Sequence, residues 1–133
     1  MPKLTNPTLT IATDRPQDQA RIKVSCDVEF TQFEVNEMNL LGLRYELSCR
    51  VLNEYLRDED PVATYRPRKL PGDPYQARPH EHVVFSIVEA MSPMHEEPFH
   101  IKDKLVAELT LRNLETDERQ TIRSGVVAVD LAV

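Results

Sequence analysis

Four histidines lie between positions 80 and 100, and their type and spacing suit a metal ion. His80 and His82 are two positions apart, so on a β-strand both imidazoles would point to the same side. His95 and His100 follow within the stretch MSPMHEEPFH, beside methionine and glutamate. Imidazole with thioether suits copper, and imidazole with carboxylate suits zinc. A small Cu- or Zn-binding protein is therefore the alternative function that the sequence raises, whereas the main prediction includes no cofactor.

A second candidate is the proline-rich segment 65–79, YRPRKLPGDPYQARP, hereafter the basic loop. It carries four cationic side chains and one Asp, a net charge of +3 that leaves −9 on the rest of a chain of formal net charge −6. Its prolines stiffen the backbone and reduce the entropy lost on binding, so we expect it to contact an acidic protein partner or another copy of this chain. The side chains predicted to make this contact are Tyr65, Arg66, Arg68, Lys69, Tyr75 and Arg78. The alternative is a solvated crossover between two sheets.

The composition excludes several other classes of function. The three glycines, Gly42, Gly72 and Gly125, lie far apart, whereas phosphate-binding loops need clustered glycines where the backbone approaches the anion. The acidic net charge argues against nucleic-acid binding, which takes a basic face. No sequence context pairs a nucleophile with a base, so we predict a non-enzymatic protein without catalytic residues.

The N-terminus and the cysteines bear on the compartment and the redox state. The N-terminal MPKLTNPTLT lacks the apolar stretch of a secretory signal, and no run approaches the roughly 20 apolar residues of a membrane span. We therefore expect a cytoplasmic protein without membrane association. Cys26 and Cys49 fall on the apolar phase of alternating segments and show no metal-ligand spacing. This predicts two buried free thiols, with a disulfide as the alternative.

Alternation of apolar and polar residues is the main signal of secondary structure. In 21–30 every second residue is apolar, which puts one face of a strand in a core and the other in water. A similar alternation predicts a strand over 41–51, against a helical alternative in which apolar residues over 38–56 recur at spacings of three and four. Residues 126–129 are apolar on both faces, which predicts a central strand or one covered by a partner. Further strands are predicted over 9–13, 62–65, 82–89, 105–112 and 121–133, with a helical turn over 53–60.

Short strands separated by polar turns, without a long helical crossover, predict an antiparallel sandwich. The closing stretch LVAELTLRNLETDERQTIRSGVVAVDLAV resembles the final hairpin of immunoglobulin-like and fibronectin-like sandwiches. That resemblance implies an architecture and no particular activity. It departs from antibody-type domains, because Trp is absent and the cysteines fall on the second and third strands rather than the second and sixth. We predict one domain over 1–133, an all-β, immunoglobulin-like antiparallel β-sandwich of about seven strands with little helix.

The function predicted from these features is a non-enzymatic protein-binding or assembly module. Its contacts would come from the basic loop and from an exposed strand edge able to pair with another chain. The candidate edges are the strands 9–13 and 126–133. Either edge would also allow a homodimer.

Overall fold

The computed structural model describes residues 1–53, 61–91 and 103–131. These residues contain nine β-strands, one α-helix and one short 3-10 helix. In chain order they are β1 (Lys3–Asp14), the 3-10 helix (Arg15–Gln17), β2 (Gln19–Glu29), α1 (Gln32–Leu41), β3 (Tyr45–Asn53), β4 (Ala63–Thr64), β5 (Arg68–Leu70), β6 (His80–Ala90), β7 (Asp103–Asn113), β8 (Arg119–Arg123) and β9 (Val127–Val129).

The strands form two antiparallel sheets. The smaller sheet has the order β1-β2-β6, with β2 in the middle. In the larger sheet β3 pairs with β7 at the centre, β4 and β5 pair with β3, and β8 and β9 pair with β7. Immunoglobulin-like sandwiches likewise place their first two strands in one sheet and their third in the other. The all-β antiparallel sandwich is therefore confirmed, with nine strands in the described residues rather than about seven.

The alternation of the sequence builds the core between the two sheets. On β2 the polar residues face outward, and the inward residues with no exposed surface are Ala20, Ile22, Val24, Cys26 and Val28. The inward side chains of β3 and β7 meet them from the larger sheet, with Leu47, Val51 and Leu109 fully buried. Burying one such aliphatic side chain contributes about 1.5–3 kcal/mol. This apolar layer therefore supplies most of the stability of the sandwich.

Cys26 and Cys49 are buried free thiols on β2 and β3, as predicted. Burial, with a smaller effect of the neighbouring Asp27 charge, raises the pKa of Cys26 to about 11. Burial, with a smaller effect of Cys26, raises the pKa of Cys49 to about 12. Both groups are therefore protonated thiols at neutral pH, and a thiol reacts as a nucleophile only through its thiolate.

Residues 32–41 form α1, a helix that the alternation did not predict. The Thr31 hydroxyl accepts a hydrogen bond from the Glu34 amide at 3.2 Å, and the Glu34 carboxylate accepts one from the Thr31 amide at 2.8 Å. This capping box starts the helix, and Gly42 ends it in the left-handed conformation at φ 72°. β3 therefore begins at Tyr45, and the helical alternative is wrong for 45–53. Beyond Asn53, the helical turn predicted over 53–60 lies outside the described residues.

The predicted strand 121–133 is divided into β8 and β9. Ser124 lies between them, where its hydroxyl accepts from the Ala107 amide at 2.9 Å and donates to the Gly125 carbonyl at 2.9 Å. These bonds satisfy backbone groups at the interruption. Within the described residues β9 pairs only with β7, so it is an edge strand and the prediction of a central strand is wrong. Val126 is 52% exposed, and its cover by a partner stays a prediction.

Candidate functional site

The basic loop crosses from the larger sheet to the smaller one and is fixed along most of its length. Its β5 segment pairs with the start of β3, and Leu70 and Pro71 are buried. The Arg44 guanidinium donates to the Pro71 carbonyl at 2.8 Å and to the Gly72 carbonyl at 2.9 Å. The loop ends where the Phe30 amide donates to the Pro79 carbonyl at 2.8 Å. This path is that of a crossover, which was the alternative interpretation of the segment.

Two of the predicted contact residues hold the sheets together instead. Tyr65 is buried, and its hydroxyl donates to the Ile22 carbonyl of β2 at 2.8 Å. The Arg68 guanidinium donates to the Val84 carbonyl of β6 at 2.7 Å and lies 5.3 Å from the centre of the Phe85 ring. A partner would not reach Tyr65, so its predicted contact role is wrong, because the side chain completes the core.

The remaining predicted contact residues are on the surface. Arg66, Lys69 and Arg78 are exposed, and their side chains form no hydrogen bond or ion pair with another described residue. Tyr75 is 61% exposed and packs against Gly42 at the end of α1. The Asn39 side chain of α1 accepts a hydrogen bond from the Ala77 amide at 2.7 Å. The loop and the helix therefore present one continuous surface.

α1 exposes three large apolar side chains on one side. Phe33 is 72% exposed, Leu40 is 78% exposed and Leu41 is 76% exposed. These three side chains are hereafter the α1 face; at spacings of seven and eight they share one side of the helix. The buried residues Val35 and Met38 lie on another side and anchor the helix to the sandwich. Sequence reasoning missed this surface, although Thr31–x–x–Glu34 and Gly42 were usable signals for the helix itself.

Concave surfaces adjoin the α1 face. A cavity of about 320 Å³ lies along the helix and is lined by Phe33, Asn36, Glu37, Leu40 and Leu41. A second, of about 580 Å³, is lined by Leu41, Gly42, Leu43, Arg44, Leu114 and Glu115. Leu41 borders both cavities, and Leu114 adds another exposed apolar side chain. The apolar surface is therefore shallowly concave and open to solvent.

Carboxylates surround these grooves. Glu37 lines the groove along α1, Glu115 lines the second, and Glu118 lines a third cavity of about 350 Å³ together with Phe33. Burial, followed by the charges of Glu34, Glu37 and Glu118, raises the pKa of Tyr45 to about 12. Glu34 itself is buried and lies 3.7 Å from the N-terminal ammonium of Met1. The exposed acidic groups give the rim of the α1 face a negative charge.

The paired histidines lie on the outer face of the smaller sheet. The His82 Nδ1 atom is 2.7 Å from the Asp27 Oδ1 atom, and the His80 Nε2 atom is 3.6 Å from the same oxygen. Asn6 donates to the other Asp27 oxygen at 2.8 Å. The hydrogen bonds from Asn6 and then His82, with the charges of both histidines, hold the pKa of Asp27 below its usual range.

The other two predicted metal ligands, His95 and His100, lie outside the described residues. Over 1–53, 61–91 and 103–131, no three His, Cys, Asp or Glu side chains are placed closely enough to hold a metal ion without rearrangement. The structure adds Asp27 and Glu29, which the sequence analysis did not connect with the histidines. The alternation of the sequence places Asp27 and Glu29 on the polar face of β2. Only the register between β2 and β6 shows that they lie opposite His82 and His80.

Comparison of the chain with protein-family models, with curated proteins and with solved structures gave no match. In the described part of the chain, no helix has the length and apolar character needed to cross a membrane.

Proposed function

We propose that this protein is a non-enzymatic protein-binding module whose α1 face receives a partner segment with apolar side chains flanked by Lys or Arg. The observation that carries the proposal is the exposure of Phe33, Leu40 and Leu41, each above 70%, on one side of a short helix. Scattered exposed apolar residues are ordinary, but a contiguous group at a groove is typical of an interaction surface.

The expected strength of the complex follows from the size of this face. Fully burying a Leu or Phe side chain is worth about 1.5–3 kcal/mol, whereas association costs about 4–15 kcal/mol in lost freedom. Three side chains alone therefore support at most a weak complex. Exposed Tyr75, which continues the surface beyond Gly42, and complementary charges supply the further binding energy.

Charge selects the class of partner. The α1 face is bordered by Glu37, Glu115 and Glu118. Two cations lie beside it: the Met1 ammonium is 3.7 Å from Glu34, and Arg44 donates to two carbonyls of the basic loop. A basic partner would approach this rim favourably, and an acidic one would be repelled. The same rim opposes symmetric self-pairing through α1, because two acidic rims would then face each other.

The basic loop is a second contact surface in this proposal. Arg66, Lys69 and Arg78 extend into solvent from a backbone that is already fixed, so the entropy lost when they meet an acidic group is that of their side chains alone. The acidic groups that pair with these three cations could come from the partner or, equally well, from a second copy of this acidic chain. A homodimer through the loop is therefore the competing arrangement.

Strand-edge pairing receives less support than the α1 face. β1 contains Pro7, and its register shifts between Thr5 and Thr8. Proline and irregular register both hinder the addition of another strand. The other candidate edge is divided at Ser124 into β8 and β9, so neither segment offers a long uninterrupted ladder.

Selection of a displayed random-peptide library against the protein tests the proposal. We expect the selected peptides to combine large apolar residues with Lys or Arg, and to bind Leu40→Ser/Leu41→Ser about tenfold more weakly or worse. Val88→Ser is the matched control, since Val88 is an exposed apolar residue on β6 of the smaller sheet and is not part of the α1 face. Peptides that bind Leu40→Ser/Leu41→Ser and Val88→Ser equally would overturn the α1 docking surface, unless they are acidic and lose affinity for Arg66→Ala/Lys69→Ala, which would assign them to the basic loop. Light scattering on the unliganded protein separates the dimer arrangement from the monomer.

A further inference from the structure

Four metal-ligating side chains meet on the solvent side of the smaller sheet. The register of β2 and β6 places His82 opposite Asp27 and His80 opposite Glu29. Residues directly opposite on an antiparallel pair share a face, with Cβ atoms about 4.5–5.5 Å apart. The two imidazoles are 57% and 59% exposed, so their rings can turn without disturbing the core.

Two of the three distances between these donor atoms, both measured from Asp27, lie near the value in a zinc site. Ligand atoms bound about 2.0–2.1 Å from a tetrahedral Zn²⁺ are about 3.3 Å from one another. The distances from Asp27 Oδ1 are 2.7 Å to His82 Nδ1 and 3.6 Å to His80 Nε2, on either side of that value. Shifts of a few tenths of an ångström and rotation of exposed rings are small adjustments compared with moving backbone.

Neighbouring groups orient these ligands from outside. Asn6, at φ 53° within the irregular stretch of β1, donates to Asp27 Oδ2 and leaves Oδ1 towards the histidines. Glu29 Oε1 lies 3.9 Å from His80 Nδ1, the ring nitrogen opposite to the one near Asp27. A carboxylate that accepts a hydrogen bond from the second ring nitrogen fixes the ring and raises ligand basicity in metalloproteins; turning the exposed His80 ring would have to close the present 3.9 Å gap to Glu29.

We propose that His80 Nε2, His82 Nδ1 and Asp27 Oδ1 bind one divalent transition-metal ion, Zn²⁺, with Glu29 and Asn6 as supporting groups and an open fourth position. Two imidazoles with one carboxylate are a known zinc ligand set. The three donors do not yet surround one point among the described residues, so binding includes rotation of at least one ring. The proposal is independent of the α1 face, which lies on a different element.

Titration calorimetry with Zn²⁺ on the 133-residue chain without an affinity tag tests this site. We expect one ion per chain, with affinity lowered about tenfold or more in His80→Ala, His82→Ala and Asp27→Asn. Glu29→Gln should lower it about tenfold, the usual cost of removing a supporting group. His95→Ala/His100→Ala is the matched control and should bind as the wild type does. Since His80 and His82 are exposed, circular dichroism should show that their variants fold.

Two results would overturn the proposal. One is equal Zn²⁺ binding by the wild type and His80→Ala/His82→Ala; the other is loss of binding in His95→Ala/His100→Ala. Nitrogen chemical shifts of the imidazoles give a second readout. We expect Zn²⁺ to move His82 Nδ1 and His80 Nε2 most, whereas coordination through His82 Nε2 with the Asp27 hydrogen bond retained would contradict the proposed ligand set.

Discussion

The Tyr75 ring lies against the Cα of Gly42, so close that a Cβ at position 42 would stand 2.9 Å from the tyrosine hydroxyl oxygen. The same glycine ends α1 at φ 72°. Gly42 therefore both ends the helix and provides the position against which Tyr75 of the basic loop packs. The α1 face and the exposed tyrosine form one surface because this contact holds them together.

Gly42→Ala should destabilise the protein by about 1–3 kcal/mol. The positive φ disfavours any Cβ, and the crowded tyrosine ring adds to that cost. Urea denaturation measures the free energy of unfolding. Gly125→Ala is the matched control, because nothing lies within 4 Å of its added Cβ. Equal stability of the two variants would show that the Gly42–Tyr75 contact is not formed.

Tyr65→Phe should lower the free energy of unfolding by about 1 kcal/mol, since it removes the hydrogen bond from Tyr65 to the Ile22 carbonyl across the core. The aromatic ring at position 65 remains, so its packing against the Phe85 ring, with the two ring centres 5.5 Å apart, is kept. Tyr75→Phe removes a hydroxyl that makes no hydrogen bond to another described residue, and it should change stability little. If both substitutions behave alike in thermal or urea denaturation, the inter-sheet bond contributes nothing.

Glu108 should make stability depend on acid pH. Burial acts to raise the pKa of Glu108, but hydrogen bonds from Arg123 and Arg50 outweigh it and hold the pKa below its usual range. A depressed carboxyl pKa stabilises the fold above the unfolded value of about 4.3, and this contribution is lost as pH falls through the folded pKa. The stability difference between wild type and Glu108→Gln, followed by urea denaturation, should therefore shrink as the solution is acidified. A difference independent of pH would contradict the ion-pair geometry.

The cysteines should be unreactive in the folded protein. With pKa values near 11 and 12, Cys26 and Cys49 carry almost no thiolate at pH 8, and both side chains are buried. A thiol reagent such as Ellman's should label two thiols per chain only after denaturation. Rapid labelling of native protein would mean that the sheets open, and absence of labelling in denaturant would mean that a disulfide had formed.

The strands were the part of the fold that the sequence predicted best. In β2 the apolar residues Ile22, Val24 and Cys26 alternate with polar ones, a pattern for which a half-buried strand is the simplest explanation. α1 was missed because its exposed residues are as apolar as its buried ones. Leu41 was therefore assigned to the beginning of a strand over 41–51, and the amphipathic contrast that identifies a surface helix was lost.

The candidate sites depended on contacts that no local pattern contains. Tyr65 lies in a segment rich in charge and proline, yet its ring belongs to the core because β4 ends immediately before it. The His80–x–His82 spacing was informative, because β6 is a strand. The partner Asp27 lies 55 positions from His82, and only the pairing of β2 with β6 brings the two together.

The affinity of a synthetic amphipathic Leu/Lys peptide for the wild type and for Leu40→Ser/Leu41→Ser tests the central claim most directly. Fluorescence anisotropy should show saturable binding to the wild type, about tenfold weaker binding to the double variant, and unchanged binding to Val88→Ser. A Leu/Glu peptide of the same pattern should bind the wild type more weakly, because Glu37, Glu115 and Glu118 border the face. Equal affinity of the Leu/Lys peptide for the wild type and the double variant would contradict a docking surface at α1.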